Sequence, residues 1–277
     1  GRNPITFDNW NNSKILAYWK YDDATKPGKD SHSWLGRLNN IRTALQGQQG
    51  DRRLRLGIAG GEWKKMMADA TARTRFASEV KKIIEQYDFD GVDFDFEWPT
   101  NASEYNNYSA TVIQMRSTLG KYVYFTASLH PVSFKISPEA IDALDFISYQ
   151  CYGPAVMRFP YEQFVKDGEA AVAYGIPKNK LVMGVPFYGS TGSLIAAYCD
   201  FVNDGLATTN EDTYTYKGNT YTFNSIETIR KKARYVCEED YAGIMSWDLA
   251  TDIDITNNKS LLKVIKEEFE YYANPTE

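Results

Sequence analysis

The sequence contains little cysteine and little histidine, and this scarcity excludes several kinds of site. Its three cysteines, Cys151, Cys199 and Cys237, are too few and too scattered for a disulfide framework. No Cys-x-x-Cys or Cys/His spacing suggests zinc, so we expect buried thiols. The two histidines, His32 and His130, leave little room for a histidine-activated nucleophile or a histidine metal site. Carboxylates must therefore carry any acid–base chemistry.

Basic clusters and long apolar runs are also missing. The formal net charge is −5 and no Lys/Arg run stands out, so nucleic acid and anionic membranes are not expected as partners. No apolar stretch reaches the roughly 18 residues that a membrane span needs. The chain starts with Gly-Arg-Asn-Pro, so we expect that any targeting segment has been removed. Aromatic residues are plentiful, with 20 Tyr, 14 Phe and 6 Trp, and their flat faces suit sugar rings.

The most informative segment runs from Asp90 to Glu97 and reads Asp-Gly-Val-Asp-Phe-Asp-Phe-Glu. It places four carboxylates in an otherwise apolar, strand-like stretch. Alternate side chains of a strand share a face, so Asp93, Asp95 and Glu97 point one way and the apolar residues between them point the other way. A solvated charged edge is the alternative interpretation of this pattern.

An alternation of strands and helices begins near residue 54 and is typical of a parallel sheet in an α/β protein. The predicted strands are Leu54 to Ala59, Asp90 to Glu97, Tyr122 to Leu129, Phe146 to Cys151, Leu181 to Phe187 and Gly243 to Leu249. The predicted helices are Trp34 to Leu45, Thr71 to Gln86, Ser103 to Leu119, Tyr161 to Tyr174, Ile226 to Glu238 and Lys259 to Tyr271. A single (β/α)8 TIM barrel needs about 250 residues, and we predict this fold class.

Two regions depart from a regular barrel. The N-terminal part contains one convincing strand, Ile15 to Tyr21, and a short one, Pro4 to Phe7, so we expect an atypical or shortened first unit. Tyr214 to Phe223 alternates around Lys217-Gly218-Asn219, which predicts a β-hairpin within an insertion of about residues 189–225, before the last strand. No repeat or linker divides the chain, so we predict one catalytic domain over residues 1–277.

The position of Glu97 predicts its chemistry. Barrel enzymes carry catalytic residues at the carboxyl ends of their strands, and Glu97 is the last inward residue before Trp98-Pro99. Asp95 and Asp93 should lie progressively deeper. Repulsion among these three carboxylates and their burial predict that some of them stay protonated near neutral pH. A protonated carboxyl at the mouth of a cleft is a general acid. Glycoside cleavage needs such an acid, because the leaving oxygen must be protonated.

Two other uses of the carboxylates stay open. Asp93, Asp95 and Glu97 could be hard oxygen ligands for Mg²⁺ or Ca²⁺, although no Asp-rich calcium loop is present. Asp93 alone could be a structural carboxylate, paired with Arg or Lys of a neighbouring strand.

Together with its flanks, the acidic segment resembles the glycoside hydrolase family 18 signature Asp-x-x-Asp-x-Asp-x-Glu. Further motifs agree in order. Gly60-Gly61 followed by Trp63 is similar to the end of the family's third strand, and Ser148-Tyr149 with Tyr152-Gly153 is similar to its sixth. Gly184 to Gly189 and Gly243 to Asp248 resemble the seventh and eighth strands. The resemblance covers about residues 54–255.

The resemblance implies a (β/α)8 barrel that hydrolyses β-1,4 bonds next to N-acetylglucosamine, in chitin or chito-oligosaccharides, by a retaining, substrate-assisted mechanism. Glu97 would be the general acid and then the base, and Asp95 would orient the substrate's acetamido group. Asp93 would share a proton with Asp95, and Tyr149 would bind the acetamido carbonyl. The implied substrate-binding residues are Trp247, Tyr188, Gln150, Tyr152, Trp63 and Trp98. No metal or organic cofactor is implied.

Three features depart from the family pattern. Ile58 stands where a serine is common, which would leave Asp93 with fewer hydrogen bonds. Gln150 follows Tyr149 where chitinases usually carry Asp, and the insertion before the last strand is short. Two other functions therefore stay open: an endo-β-N-acetylglucosaminidase acting on the chitobiose core of N-glycans, and a non-catalytic chitin- or glycan-binding lectin. We expect a monomer, secreted, periplasmic or at the cell surface, that binds an N-acetylglucosamine-containing oligo- or polysaccharide.

Overall fold

Strands and helices alternate along most of the chain in the computed structural model, which describes residues 34–46, 53–60, 63–153, 155–207 and 210–274. The two predicted N-terminal strands, Pro4 to Phe7 and Ile15 to Tyr21, lie outside these residues. The described residues form two compact units. The first contains the residues up to Ser128 together with Lys135–Asp145, and the second contains Leu129–Phe134 and the residues from Phe146 onward.

The first unit is built around a parallel sheet. Its strands are β1 (Arg55–Ala59), β2 (Gly91–Asp95) and β3 (Tyr124–Leu129), whose last residue is counted with the second unit. Strand β2 pairs in parallel with both β1 and β3. The helices are α1 (Trp34–Leu45), α2 (Trp63–Ala68), α3 (Ala70–Tyr87), α4 (Ala102–Leu119) and α5 (Pro138–Ala143).

Side-chain caps define where the long helices of this unit begin. The Asp69 carboxylate accepts a hydrogen bond from the Ala72 N–H at 2.7 Å and starts α3. The Asn101 side chain accepts from the Glu104 N–H at 3.0 Å and starts α4. Each cap satisfies an N–H that has no partner inside the helix and stabilises the helix by about 1 kcal/mol.

An aromatic core joins β2 to the helices of the first unit. Phe94 of β2 packs edge-on against Phe125 of β3 at 4.8 Å between ring centroids, and its ring is tilted against Phe76 of α3 at 5.9 Å. All three rings are buried. Burial of each side chain stabilises the fold by about 2–3 kcal/mol, so one face of β2 is fixed against the helix layer.

The second unit contains a parallel sheet and an antiparallel sheet. The parallel strands are β4 (Phe146–Tyr149), β5 (Leu181–Pro186) and β10 (Gly243–Trp247), with β5 in the centre. The antiparallel sheet has the order β7 (Ile195–Ala197), β6 (Tyr188–Ser190), β9 (Asn219–Thr222), β8 (Thr213–Tyr216). The helices are α6 (Tyr161–Tyr174), α7 (Tyr198–Asn203), α8 (Ile226–Glu238) and α9 (Leu261–Ala273), and Val156–Arg158, Lys178–Lys180 and Leu249–Thr251 form short 3₁₀ turns.

The predicted hairpin is confirmed as the pair β8–β9, with Tyr214 opposite Tyr221. The two turn residues, Lys217 and Gly218, have φ angles of 49° and 78°. Positive φ at both central residues matches the twist of the strands, which explains a glycine here. Beneath the hairpin, Phe201 of α7 lies within 6 Å of several aromatic rings, measured between centroids: Tyr214, Tyr216, Tyr221 and Phe223.

The predicted helices and strands that fall within the described residues are confirmed, with shifts of a few residues at their ends. The acidic strand ends at Asp95, so Glu97 lies just beyond β2. The last barrel strand ends at Trp247, and Leu249 begins a 3₁₀ turn. The sequence analysis missed α2, α5 and α7 and the strands β6 and β7, which have three to six residues each. The prediction of one catalytic domain over residues 1–277 stays a prediction.

Candidate active site

The predicted alternation of the acidic strand is confirmed. The apolar side chains Val92, Phe94 and Phe96 are buried. Between them, Asp93 and Asp95 are half-buried, and Glu97 beyond the strand is exposed. The parallel register places Gly57 and Ala59 of β1 beside Asp93 and Asp95. The first unit therefore has one packed face and one carboxylate-bearing face.

Asp93 is surrounded by hydrogen-bond donors from the two neighbouring strands. Thr126 of β3 donates to Asp93 Oδ1, and Ser128 Oγ donates to Asp93 Oδ2 at 3.1 Å. Arg55 Nη1 of β1 lies 3.4 Å from Asp93 Oδ1. The expectation that Ile58 leaves Asp93 short of hydrogen bonds is wrong, because Ile58 pairs with Phe94 on the buried face.

Tyr108 of α4 is a buried titratable group on which the charges of Asp93 and Asp95 act. Its ring packs edge-on against Trp63 at 6.2 Å between centroids and is fully buried. Burial, with the charges of Asp93 and Asp95, raises the pKa of Tyr108 well above its ordinary value. Tyr108 is therefore neutral at physiological pH.

The sequence analysis missed Arg55, Thr126, Ser128 and Tyr108. A signal was present in β3, which reads Tyr-Phe-Thr-Ala-Ser-Leu from residue 124. Two hydroxyl residues on alternate positions of an apolar strand indicate a polar face beside the acidic one. Arg55 and Tyr108 give no such signal, because Arg55 opens its strand and Tyr108 sits in a helix with a weak pattern.

The two tryptophans of the first unit have different surroundings. Trp63 of α2 is only 5% exposed and packs on Phe96 at 5.9 Å between ring centroids. Such a ring offers little surface to a sugar. Trp98 follows Glu97 directly and is half-buried, and the Glu97–Trp98 peptide bond is cis. Outer-subsite roles for both tryptophans stay predictions.

In the second unit, one face of the sheet turns toward the helices. Met183 of β5 contacts Gly168 of α6 so closely that a Cβ on Gly168 would lie 2.8 Å from the Met183 methyl. Tyr149 pairs in register with Met183 and shares its face. The Tyr149 ring packs edge-on against Phe134 at 5.7 Å, and Phe134 packs against Tyr174 of α6 at 5.5 Å. Tyr149 therefore belongs to the layer between sheet and helices.

The opposite face of this sheet carries Tyr152. Gly184 follows Met183 in β5 and therefore points away from the helices. Met245 of β10 is the register partner of Gly184 and shares this face. A Cβ on Gly184 would lie 2.8 Å from the Tyr152 ring, so the ring covers this glycine. Tyr152 Oη lies 3.5 Å from Met245 Sδ. Trp247 alternates with Met245 along β10, ends the strand and is 54% exposed.

Tyr152 and Tyr188 form an aromatic group with Phe159. The Tyr188 ring stands edge-on to Tyr152 at 6.4 Å and to Phe159 at 5.6 Å. Burial raises the pKa of Tyr188 to about 12, so its hydroxyl is a neutral donor at physiological pH. The side chain of Gln150, two residues before Tyr152, is also buried.

His130 fixes the backbone that carries Tyr152. Its Nε2 lies 2.6 Å from the Gly153 carbonyl oxygen and 3.2 Å from the Tyr152 carbonyl oxygen, and carbonyls only accept. Its Nδ1 accepts from the Val132 N–H at 3.3 Å. These contacts place a proton on Nε2, which donates to the two carbonyl oxygens, and the buried ring acts as a structural link.

The described residues contain neither a metal-site cluster nor a membrane-spanning helix. Among the described residues, no group of three or more His, Cys, Asp or Glu side chains has the arrangement of a metal site. Within the same part of the chain, no helix is both long enough and apolar enough to cross a membrane.

Solved structures share this fold. A chitinase from Bacteroides thetaiotaomicron superposes with a TM-score of 0.72 at 23% identity, over 85% of this chain and 81% of that one. A chitinase-like agglutinin from Robinia pseudoacacia gives 0.70 at 17% identity, over 87% of each chain. These likenesses confirm the predicted fold class, the (β/α)8 barrel.

The family model described as "Glycosyl hydrolases family 18" matches residues 5–252. The chain belongs to this family, and the resemblance read from its motifs is confirmed. Among curated proteins, "Probable chitinase 2" of Drosophila melanogaster is 23% identical over 78% of this chain. This chain covers 60% of that relative's length.

Proposed function

We propose that the protein is a glycosidase that hydrolyses β-1,4 bonds next to N-acetylglucosamine, in chitin or chito-oligosaccharides, with retention of configuration. The observation that carries this proposal is the graded row of carboxylates on one face of β2. Glu97 is exposed where the strand has ended, Asp95 is half-buried, and Asp93 is held by donors from both neighbouring strands. A carboxyl that reaches solvent beyond a partly buried acidic pair is placed where it can meet the glycosidic oxygen of a bound substrate.

In this mechanism Glu97 gives its proton to the glycosidic oxygen as the bond from that oxygen to C1 breaks. The carbonyl oxygen of the substrate's own acetamido group forms a bond to C1 from the opposite face. Asp95 accepts a hydrogen bond from the acetamido N–H and balances the positive charge of the oxazolinium ring. Glu97 then takes a proton from water as the water attacks C1, and the bond from C1 to the acetamido oxygen breaks, which restores the acetamido group. A well-oriented intramolecular nucleophile of this kind can lower the barrier by about 7–11 kcal/mol.

Tyr152, in place of Tyr149, is the tyrosine that we propose to bind the acetamido carbonyl. The motif comparison alone favoured Tyr149, but that ring lies in the layer between sheet and helix α6. Tyr152 shares a face with Met245, and its hydroxyl lies at the Met245 sulfur, a weak acceptor that a carbonyl oxygen can replace. Trp247 is proposed as the apolar floor under the sugar, since its ring is largely exposed.

The first experiment compares hydrolysis of fluorogenic chitobioside and chitotrioside with hydrolysis of a high-mannose glycopeptide. Glu97→Gln should reduce kcat/KM on the chito-oligomers by about 10³-fold, as expected for loss of a general acid. Glu85→Gln is the matched control, because Glu85 is an exposed carboxylate on α3 that pairs only with Lys81 among the described residues. Full activity in Glu97→Gln would contradict the proposal.

A second comparison separates the two tyrosines. Tyr152→Phe removes one hydrogen-bond donor and should reduce kcat/KM by about 10²-fold, while Tyr149→Phe should keep most of the activity. Both substitutions retain the ring and its packing, so a large loss in either reports on the hydroxyl. The reverse order of effects would return the role to Tyr149.

Two alternative functions are outcomes of the same assay. Cleavage of the glycopeptide alone would indicate an endo-β-N-acetylglucosaminidase, a possibility raised by Gln150 where chitinases usually carry Asp. Binding of chitotriose without turnover would indicate a lectin. The likeness to the Robinia pseudoacacia agglutinin is the observation that raises this alternative. The substrate class implies action outside the cytoplasm, and we propose a secreted, periplasmic or cell-surface monomer.

A further inference from the structure

The amine of Lys232, on helix α8, is fully buried in the second unit, where a polar group is costly unless it forms hydrogen bonds. Its Nζ donates to the Phe159 carbonyl oxygen and to Asn224 Oδ1, both at 2.7 Å. Burial lowers the pKa of Lys232 to about 7, which reflects the cost of a charge in this place. A methionine would fill the same space without that cost, so the two hydrogen bonds are what the lysine contributes here.

Asn224 completes a triangle of hydrogen bonds with Lys232 and Phe159. It lies between strand β9 and helix α8, and its side chain is also fully buried. Its Nδ2 donates to the Phe159 carbonyl oxygen at 2.9 Å, while its Oδ1 accepts from Lys232. The carbonyl oxygen therefore accepts two hydrogen bonds, one for each of its lone pairs. The backbone at Phe159 is thus joined both to α8 and to the segment that leads into it.

The residue before Phe159 is anchored to a different helix. Arg158 Nη1 donates to the two carboxylate oxygens of Asp167 of α6, at 3.0 and 3.2 Å. Gln163 Nε2 donates to the same carboxylate at 2.8 Å, and Asp167 is buried. The end of the 3₁₀ turn Val156–Arg158 is therefore held by both helices, and these contacts fix the direction in which the Phe159 ring leaves the backbone.

The Phe159 ring limits the position of Tyr188. The two rings stand edge-on at 5.6 Å between centroids, and both are buried. Tyr188 also stands edge-on to Tyr152 at 6.4 Å, and a Cβ on Gly153 would lie 2.7 Å from Tyr188 Oη. Tyr188 is therefore closely surrounded, and loss of the Phe159 contact would release one of the surfaces that hold it.

We propose that Lys232 and Asn224 are positioning residues for substrate binding, which hold the aromatic group of Tyr152, Tyr188 and Phe159 in place through the Phe159 carbonyl. This inference rests on the proposed glycosidase function, in which Tyr152 binds the acetamido carbonyl. Both side chains are fully buried, so they act through the aromatic rings and not by contact with the sugar.

The test is a double-variant cycle with fluorogenic chitobioside as substrate. Lys232→Met should reduce kcat/KM by about 10-fold, because a small displacement of a binding group slows the reaction. In the Tyr152→Phe background the same substitution should change kcat/KM by less than about 2-fold, since the hydroxyl that it positions is absent. Equal losses in the two backgrounds would overturn the proposal.

Glu268→Gln is the matched control for a disturbance of helix α8. Glu268 of α9 is buried and accepts from Arg230 and Arg234 of α8, at 3.0 and 3.4 Å. Its substitution weakens other contacts of the same helix, so kcat/KM should stay native. The same loss in Glu268→Gln as in Lys232→Met would contradict the proposal. If Lys232→Met folds poorly, Phe159→Leu keeps the carbonyl, removes the ring that contacts Tyr188 and should give the same loss.

A further readout needs neither turnover nor ligand. Fluorine-19 NMR of the chain labelled with fluorotyrosine, with Tyr152 and Tyr188 assigned from their phenylalanine variants, should show both signals shifted in Lys232→Met and unshifted in Glu268→Gln. Native positions for both signals in Lys232→Met would overturn the inference. Lys232→Met should also weaken chitotriose binding by about 10-fold in calorimetry. If the native chain binds chitotriose without hydrolysis and these two effects are present, only the glycosidase proposal is refuted.

Discussion

Lys232 of α8 is fully buried, and its charge state should govern how stability depends on pH. Its Nζ donates to the Phe159 carbonyl oxygen and to Asn224 Oδ1, both at 2.7 Å, and lies 4.9 Å from the centre of the Phe164 ring. Among the described residues, no carboxylate forms an ion pair with it. Two acceptors match the two N–H groups of a neutral amine. Burial lowers the pKa of Lys232 to about 7.

The sign of the pH effect follows from the lowered pKa of Lys232 in the folded state. In the unfolded chain a lysine titrates near 10.4, so between pH 7 and that value the unfolded state binds more protons than the folded state. Stability therefore rises with pH across this window. With a folded pKa of about 7, linkage gives about 2 kcal/mol of added stability between pH 7 and pH 9.

The perturbation is Lys232→Met, which keeps an unbranched side chain and removes the titration. Urea unfolding of native chain and variant at pH 7, 8 and 9 gives the free-energy difference at each pH. That difference should grow by about 2 kcal/mol in favour of the native chain. Lys266→Met, at an exposed lysine paired with Glu270, should show a constant difference. A constant difference for Lys232→Met as well would mean that Lys232 stays charged in the fold.

Two further predictions concern packing and charge. Gly184→Ala should destabilise the chain by about 2 kcal/mol and impair catalysis, because its Cβ would lie 2.6 Å from the Tyr149 carbonyl oxygen and 2.8 Å from the Tyr152 ring. Gly57→Ala, with no atom within 4 Å of the new Cβ, should fold as well as the native chain in a thermal melt. The Lys64 ammonium, 2.8 Å away, lowers the pKa of Glu104 to about 2. Glu104→Gln should therefore lower the free energy of unfolding by about 1 kcal/mol at pH 7, measured by urea unfolding. This loss should become smaller as the pH falls from 4.5 toward 2.

The acidic strand could be predicted because its two faces differ in chemistry. Apolar and acidic residues alternate along β2, and the burial of Phe94 beside the half-buried Asp93 and Asp95 follows that alternation. The prediction needed only the period of a strand and the cost of burying a charge. It could not reveal that Arg55 stands beside Asp93, since contacts between strands depend on their register.

The choice between Tyr149 and Tyr152 could not be made from the sequence. Three of the four residues of β4 are buried, so its apolar pattern does not distinguish the helix side from the other side. The register with Met183, and the contact of Met183 with Gly168, settle which face Tyr149 shares. Sequence similarity places two tyrosines in the motif, but only the pairing of strands sorts them.

The shortest elements could not be predicted for another reason. Helix α2 and strands β6 and β7 have at most six residues, so no period repeats within them. Their conformation depends on partners distant in sequence. Trp63 illustrates this, because its place against Phe96 and Tyr108 makes it part of the aromatic core.

The hairpin β8–β9 has a practical consequence for work on this protein. Its turn at Lys217 and Gly218 is exposed, and its base is fastened by the aromatic rings around Phe201. A peptide inserted into an exposed two-residue turn leaves the paired strands and the packed base intact. This tip is therefore a suitable position for an epitope or a fluorophore that leaves the candidate site residues unaltered.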